Sequence, residues 1–229
     1  MARNTARGSA QKSTKSALSR ELIQREALQL IEAEGMDAFS VRQLGERLGC
    51  QAMSIYHHFE SKAHILDSLV DLLLSEMKIP PRSQSPERRL RSLISEWRAL
   101  SRRQPRFYVW LAIHRWNSQT GIRYLSEVLD CFYDAGLDAE RAARAFRAVG
   151  YYVLGATLDE TSGYVQGPSS LEPLPARRLA SDFPRVAAAG EFFAVSHFDK
   201  TFELGLNALL VSFGVTRPDL VRQRKSSAA

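Results

Sequence analysis

The sequence predicts an all-α fold, and three observations carry that expectation. Apolar residues recur at a period close to 3.6, as in Leu22, Ala27, Leu30 and Ile31 and again in Phe198, Phe202, Leu206, Leu209, Leu210 and Phe213, with no sustained strand alternation. Proline and glycine cut the chain into helix-sized pieces. The longest apolar runs, Phe107 to Ile113 and Leu72 to Leu74, fall well short of the roughly 20 residues of a membrane helix, which disfavours a membrane span. With 45% hydrophobic and 24% charged residues, the composition excludes wholesale disorder, collagen-like repeats and disulfide scaffolds.

Taken in order, residues 1–18 are rich in Ser, Lys, Arg, Ala and Gln and nearly devoid of apolar side chains, so they read as a disordered basic arm. The arm has no apolar h-region, which disfavours secretion and leaves the cytoplasm as the expected compartment. Helices are expected near 19–34, 40–47, 51–57, 61–77, 86–103, 105–115, 119–134, 138–163, 182–190 and 196–214. Gly35 stops the first, Ser40 caps the second, Ser61 caps the fourth, Gly136 stops the seventh and Asp138 caps the eighth. Pro80, Pro81 and Pro86 close off the first segment, Pro105 opens a helix where its missing N–H is harmless, and Pro218 ends the last. Pro168, Pro173, Pro175 and Pro184 mark a long loop over 164–184, a candidate cover for a ligand entrance.

The net charge of +6 is unevenly placed: residues 1–20 carry five basic and no acidic side chains, and residues 80–106 carry eight basic and two acidic. The second group (Arg82, Arg88, Arg89, Arg91, Arg98, Arg102, Arg103, Arg106) reads as a helix face paired with acids elsewhere, with an anionic ligand or added DNA contact as the alternative. Residues 21–79 are acidic, so a basic total is weak evidence for nucleic acid. Cys50 and Cys131 lie far apart with no partner motif and read as small buried hydrophobes in a reducing compartment.

The informative stretch is Ser40-Val-Arg-Gln-Leu-Gly-Glu-Arg-Leu-Gly-Cys-Gln-Ala-Met-Ser-Ile-Tyr-His-His-Phe59. Val41, Leu44 and Leu48 share one helix face, Gly45 admits a close neighbour, and Gly49 sits where a left-handed residue ends the helix. Ile55 and Phe59 on the next short helix can bury against Leu44 and Leu48, leaving Gln51, Ala52, Met53, Ser54, Tyr56 and His57 on an outer surface. That is a helix-turn-helix pattern, whose second helix enters a major groove. The alternative is a plain helical hairpin in a bundle. Gln51 suits an adenine edge, Ala52 and Met53 a thymine methyl, and Arg42 guanine or phosphate. Tyr56, Ser54 and Lys62 suit phosphate.

Residues 19–77, above all Ser40-Val-Arg-Gln-Leu-Gly, Leu48-Gly49 and Ile55-Tyr-His-His-Phe-Glu-Ser-Lys62-Ala-His-Ile-Leu66, resemble the DNA-binding domain of TetR-family transcriptional repressors. Phe198 to Phe213, with Phe202-Glu-Leu-Gly-Leu206 inside it, resembles the last helix of the effector-binding domain in Tet repressor-like members. The resemblance implies that Arg42, Gln51, Ala52, Met53, Tyr56, His57 and His58 face DNA, with Ser40, Ser54 and Lys62 on phosphate. Gln51 stands where many members carry a Ser or Thr cap, and Cys50 where they carry a core valine, so Gln51 is expected to read a base rather than cap its helix.

The domains implied are a helix-turn-helix head over 19–62 with a linker helix 61–77, an effector-binding and dimerisation body over 78–216, and a basic tail 217–229. The implied function is a ligand-responsive repressor, a homodimer that releases a palindromic double-stranded operator when a small molecule binds. A ligand-independent regulator or activator on the same fold, or a helical small-molecule-binding protein with a vestigial head, are the alternatives.

In the body, Trp97, Phe107, Trp110, His114, Phe132, Tyr151 and Tyr152 are the expected pocket residues, since an apolar cavity with a few polar groups is what small-molecule sites look like. Gly150, Gly155, Phe198, Phe202, Leu206, Leu209 and Phe213 are the expected dimer contacts. No catalytic group, cofactor or metal is expected. His114 has no visible nucleophile or acid–base partner, and His57, His58 and His64 lack the spacing of a ligand set.

Overall fold

The computed structural model describes residues 18–161 and 174–216. The basic arm up to residue 17, the tail 217–229 with Pro218, and the part of the expected loop that holds Pro168 and Pro173 lie outside the described residues. Every regular element among the described residues is helical: α1 (Arg20–Glu34), α2 (Val41–Leu48), α3 (Ala52–Tyr56), α4 (Lys62–Ser75), α5 (Pro86–Arg103), α6 (Pro105–His114), α7 (Gln119–Asp134), α8 (Ala139–Thr161), α9 (Ala176–Asp182), α10 (Pro184–Ala189) and α11 (Phe198–Ser212), with two short 3-10 turns before α11. Among those residues no helix is long and apolar enough to cross a membrane.

Local chemistry sets most boundaries. Ser19, Ser40, Ser61, Ser85 and Ser118 each accept a backbone N–H of the following helix through the side-chain oxygen, satisfying a donor that would otherwise lack a partner. Pro86 and Pro105 sit in the first turns of α5 and α6. Two expected elements differ. The helix expected over 182–190 is shorter, α10 over Pro184–Ala189, because Pro184 cannot donate to a preceding carbonyl and Phe183 leaves helical geometry at φ −136° and ψ 60°. The preceding α9 occupies part of what the prolines suggested was loop.

One core runs through the molecule, from Ile23, Ala27 and Ile31 of α1, through Leu69 and Leu73 of α4, to Phe107, Phe132, Val153 and Leu206. The helix α5 packs on α7 and α8, and α11 on α8, while α4 touches α1 on one side and α6 and α7 on the other. Arginines of α5 and of the segment just before it tie these helices together. Arg89 is 2% exposed and meets Asp134 at 2.5 Å, and Arg82 reaches Asp130 at 2.6 Å, both on α7. Arg98 and Arg102 share Glu160 of α8 and Asp199 of α11, and Arg91 joins Glu87 to Glu203. These guanidiniums hold helices together; they are not a free basic surface. By contrast α9 and α10 bury no residue, and Phe183 between them and Val186 of α10 are exposed.

Candidate nucleic-acid interface and interior cavity

The turn between α2 and α3 is built on two glycines. Gly49 has φ +65° and ψ 34°, and a Cβ on Gly45 would stand 2.9 Å from the Cys50 carbonyl oxygen, closer than side-chain carbons come. With α3 held this closely, Ile55 and Phe59 join Leu44 in the core at 1% exposure or less. The opposite stripe of α3, Met53, Tyr56 and His57, is exposed, as is Gln51, while Ala52, Ser54 and His58 are half-buried. Gln51 occupies the N-cap position of α3 without a side-chain cap hydrogen bond, which leaves its amide available to a base edge.

Three of the residues expected on DNA are partly engaged within the head. The Ser40 hydroxyl accepts from the Gln43 N–H at 3.2 Å and donates to Gln43 Oε1 at 2.8 Å. Arg42 pairs with Glu46 at 3.0 Å on an exposed face. Lys62 Nζ donates to the Phe39 carbonyl at 2.6 Å and lies 5.2 Å from the centre of the Phe39 ring, so it braces the chain entering α2. Sequence reasoning did not single out Arg20, which donates to the His58 carbonyl at 2.8 Å and covers the Phe59 ring at 4.2 Å, fastening the start of α1 to the end of α3. The His64 ring lies between Arg20 Nη2 at 3.1 Å and the Glu60 amide at 3.2 Å.

Between α5, α7, α8 and the end of α6 the body holds a partly open apolar cavity. Trp97, Trp116, Tyr124, Phe132 and Phe146 supply its rings, aliphatic residues the rest, and Arg115 is the one charged side chain among the described lining residues. The Trp97 indole donates to the Tyr108 hydroxyl at 2.6 Å, which meets Thr157 Oγ1 at 2.6 Å, and Tyr124 donates to the Leu93 carbonyl at 2.8 Å. Burial pushes the Tyr108 and Tyr124 hydroxyls above the ordinary tyrosine range, so both stay protonated as donors. Burial likewise pushes the Cys131 thiol up to about 11, with Arg89 opposing, and leaves it unreactive at neutral pH.

Of the residues expected in a pocket, Trp97 and Phe132 line this cavity. Five others do not. Phe107 is fully buried in the core, Trp110 stacks on His114 at 4.1 Å outside the cavity, and Tyr151 is 65% exposed. Tyr152 turns toward α11, donating to the Phe202 carbonyl at 2.9 Å and stacking on the Phe202 ring at 5.5 Å. A Cβ on Gly205 would run into that Tyr152 ring. Trp116, Tyr124 and Phe146, which belong to the same aromatic body, line it as well, and Arg115, a cation at the end of an aromatic helix, is the lining residue that sequence reasoning missed.

The expected dimer stripe divides in the same way. Phe202 and Leu206 are 3% and 1% exposed, buried within the subunit, and Phe198, Leu209 and Phe213 are half-buried. Gly155 and Tyr151 of α8 and Leu204 and Ala208 of α11 face outward. A Cβ on Gly150, which borders the cavity, or on Gly155 would meet nothing within 4 Å.

Residues 23–69 match the model for bacterial regulatory proteins of the tetR family, and residues 85–213 match the tetracyclin repressor-like C-terminal domain. The chain is 31% identical to the tetracycline repressor protein class C of Escherichia coli over 214 residues, covering 85% of this chain and 89% of that protein. It is 28% identical to the class A repressor from transposon 1721 of Escherichia coli, covering 81% and 86%. Among solved structures it is similar to a possible TetR family transcriptional regulator from Streptomyces coelicolor A3(2), with a TM-score of 0.69 at 23% identity, covering 85% of this chain and 98% of that one. It is also similar to ActR of Streptomyces coelicolor in complex with actinorhodin, with a TM-score of 0.65 at 23% identity, covering 86% and 97%.

Proposed function

Because the chain belongs to the TetR family of bacterial regulatory proteins, we propose that it is a cytoplasmic homodimeric repressor that grips a two-fold symmetric operator and releases it when a small molecule fills the α5–α8 cavity. The observation that carries this reading is the position of α4. It packs against α1 of the head and against α6 and α7 of the body, so a shift of the cavity wall moves the head as well. Each α3 would enter a major groove, with Gln51 and Met53 toward base edges and Ser54, Tyr56 and Lys62 toward phosphates, and the two half-sites would lie on one face of the duplex about one helical turn or a little more apart. The outward face of α8 and α11 with Tyr151, Gly155, Leu204 and Ala208 suits pairing with the same face of a second copy. A solved structure of ActR is a complex with actinorhodin, a precedent for a small-molecule ligand on a protein of this fold.

A ligand can bias the head only by its difference in affinity between the gripping and released arrangements. Selection of duplexes from a random library at near-physiological salt, followed by sequencing, tests the reading. Enrichment of a palindrome, and its release by a compound that binds the body, is the expected result. A palindrome that no body ligand releases makes the protein a ligand-independent regulator, and the absence of any enriched site removes the DNA-reading function.

A further inference from the structure

Arg115 is set apart from the other enclosed arginines of this protein. Arg89, Arg91 and Arg98 each sit against a carboxylate, at 2.5, 2.9 and 2.5 Å. Arg115 is half-buried and has no carboxylate partner among the described residues; its guanidinium lies 4.5 Å from the centre of Trp116 and 5.7 Å from that of Trp97, both on the cavity wall. Burial pushes it below the ordinary arginine range, Tyr108 opposes, and the like charge of Arg147 adds to the push, yet a guanidinium remains protonated at neutral pH. A half-buried cation with a second cation nearby and no anion carries a desolvation cost, and that cost falls when an anion arrives. Its backbone is held firmly: Arg115 ends α6, and a Cβ on Gly121 of α7 would collide with its carbonyl oxygen.

The remaining polar groups of the wall offer a ligand little. The Trp97 indole and the Tyr124 hydroxyl are committed to Tyr108 and to the Leu93 carbonyl. The other lining groups are aromatic or aliphatic, and the rings suit a flat apolar frame. Resting on the reading of this cavity as the effector site, we propose that the effector is a planar, largely apolar organic anion whose carboxylate or equivalent acidic group pairs with Arg115 while its ring system lies among Trp97, Trp116, Phe132 and Phe146. A bidentate pairing of this type is the arrangement for which a planar guanidinium is built.

The test is isothermal titration of the full-length protein with matched carboxylate and carboxamide pairs on benzene, naphthalene and anthracene frames. On at least one frame the acid should bind about tenfold or more tightly than its amide, because the amide cannot make a charged hydrogen bond. Arg115→Gln should level that pair, Arg115→Lys should keep part of the preference, and Gly150→Phe, which places a ring in open cavity space, should abolish binding of both. Amides that match their acids in the unmodified protein, a preference that survives Arg115→Gln, or no binding on any frame would each overturn the proposal.

The readings separate cleanly. Acid and amide bound alike, and both lost in Gly150→Phe, remove the anion and keep the cavity as a ligand site. Binding that survives Gly150→Phe removes the cavity as well. Operator release is read independently on a labelled duplex, so acid binding through Arg115 without release keeps the ligand class and overturns the repressor.

Discussion

Gln51 stands at the head of α3 with an uncommitted amide, whereas Lys62 is already bonded to the Phe39 carbonyl, and the two should therefore fail differently. Gln51→Ala is expected to cost roughly 1–3 kcal/mol of operator affinity at one base position and to relax preference there alone, as measured by binding to single-substituted operators. Lys62→Ala should weaken every sequence about equally and flatten the salt dependence. In the body, Tyr108 accepts from Trp97 and meets Thr157, all three sealed from solvent. Tyr108→Phe leaves the Trp97 N–H buried without an acceptor and should lower unfolding free energy by about 1–3 kcal/mol in denaturant titration. The exposure of Gln51, Met53, Tyr56 and His57 was legible from spacing alone, since neighbours three and four apart share a helix face. The commitment of Lys62 was less legible, because it reaches back 23 residues to its partner.

At the scale of elements, α6 begins without a cap of its own, since Gln104 makes no side-chain cap bond. Glu32 of α1 does the work from the head: its carboxylate accepts the Arg106 N–H at 3.2 Å and the Phe107 N–H at 2.9 Å, while Arg106 donates to the Ala33 carbonyl at 2.6 Å. A carboxylate at a helix N-terminus is favoured by the helix dipole as well as by the hydrogen bonds. Glu32→Gln should weaken this joint, and faster hydrogen exchange in the first turn of α6, with the head's own core unchanged, is the expected readout. The helix α11 is tied to α5 through Asp199, whose carboxyl the Arg102 hydrogen bond, helped by the Arg98 charge, holds below its usual range despite opposing desolvation. A lowered folded value adds stability above the ordinary aspartate range and loses it as pH falls through the folded value. Asp199→Asn should therefore flatten the acid limb of stability below about pH 4, modestly, because the group is well exposed to screening solvent.

Helices with serine caps and glycine stops were legible in the sequence because those signals act within a turn or two. The helix that Pro184 opens was legible, whereas α9 was not, because the prolines before it suggest loop although Pro175 directly precedes a short helix. Joints such as Glu32 with α6 were not legible, since nothing local marks a glutamate as the cap of a helix more than 70 residues away.

For the whole molecule, the outward face of α8 and α11 is where a second copy should seat. Leu204 is 63% exposed, yet Phe202 and Leu206 beside it are buried, so Leu204→Glu should leave the subunit folded while halving the mass seen by sedimentation and abolishing operator binding. The all-α architecture was legible because periodicity reports it directly, whereas the cavity was not. Phe107 and Trp97 look alike in a sequence, and only the packing of α5, α6 and α8 decides that one fills the core and the other borders a space.

The same placement has an optical consequence. The chain contains three tryptophans; Trp97 and Trp116 border the cavity, and Trp110 stacks on His114 outside it. Two of the three indoles thus see whatever occupies the interior while the third serves as an internal reference. Ultraviolet emission of the unlabelled protein, resolved with a Trp110→Phe variant, is a built-in gauge of how full the body is, independent of any event at the head.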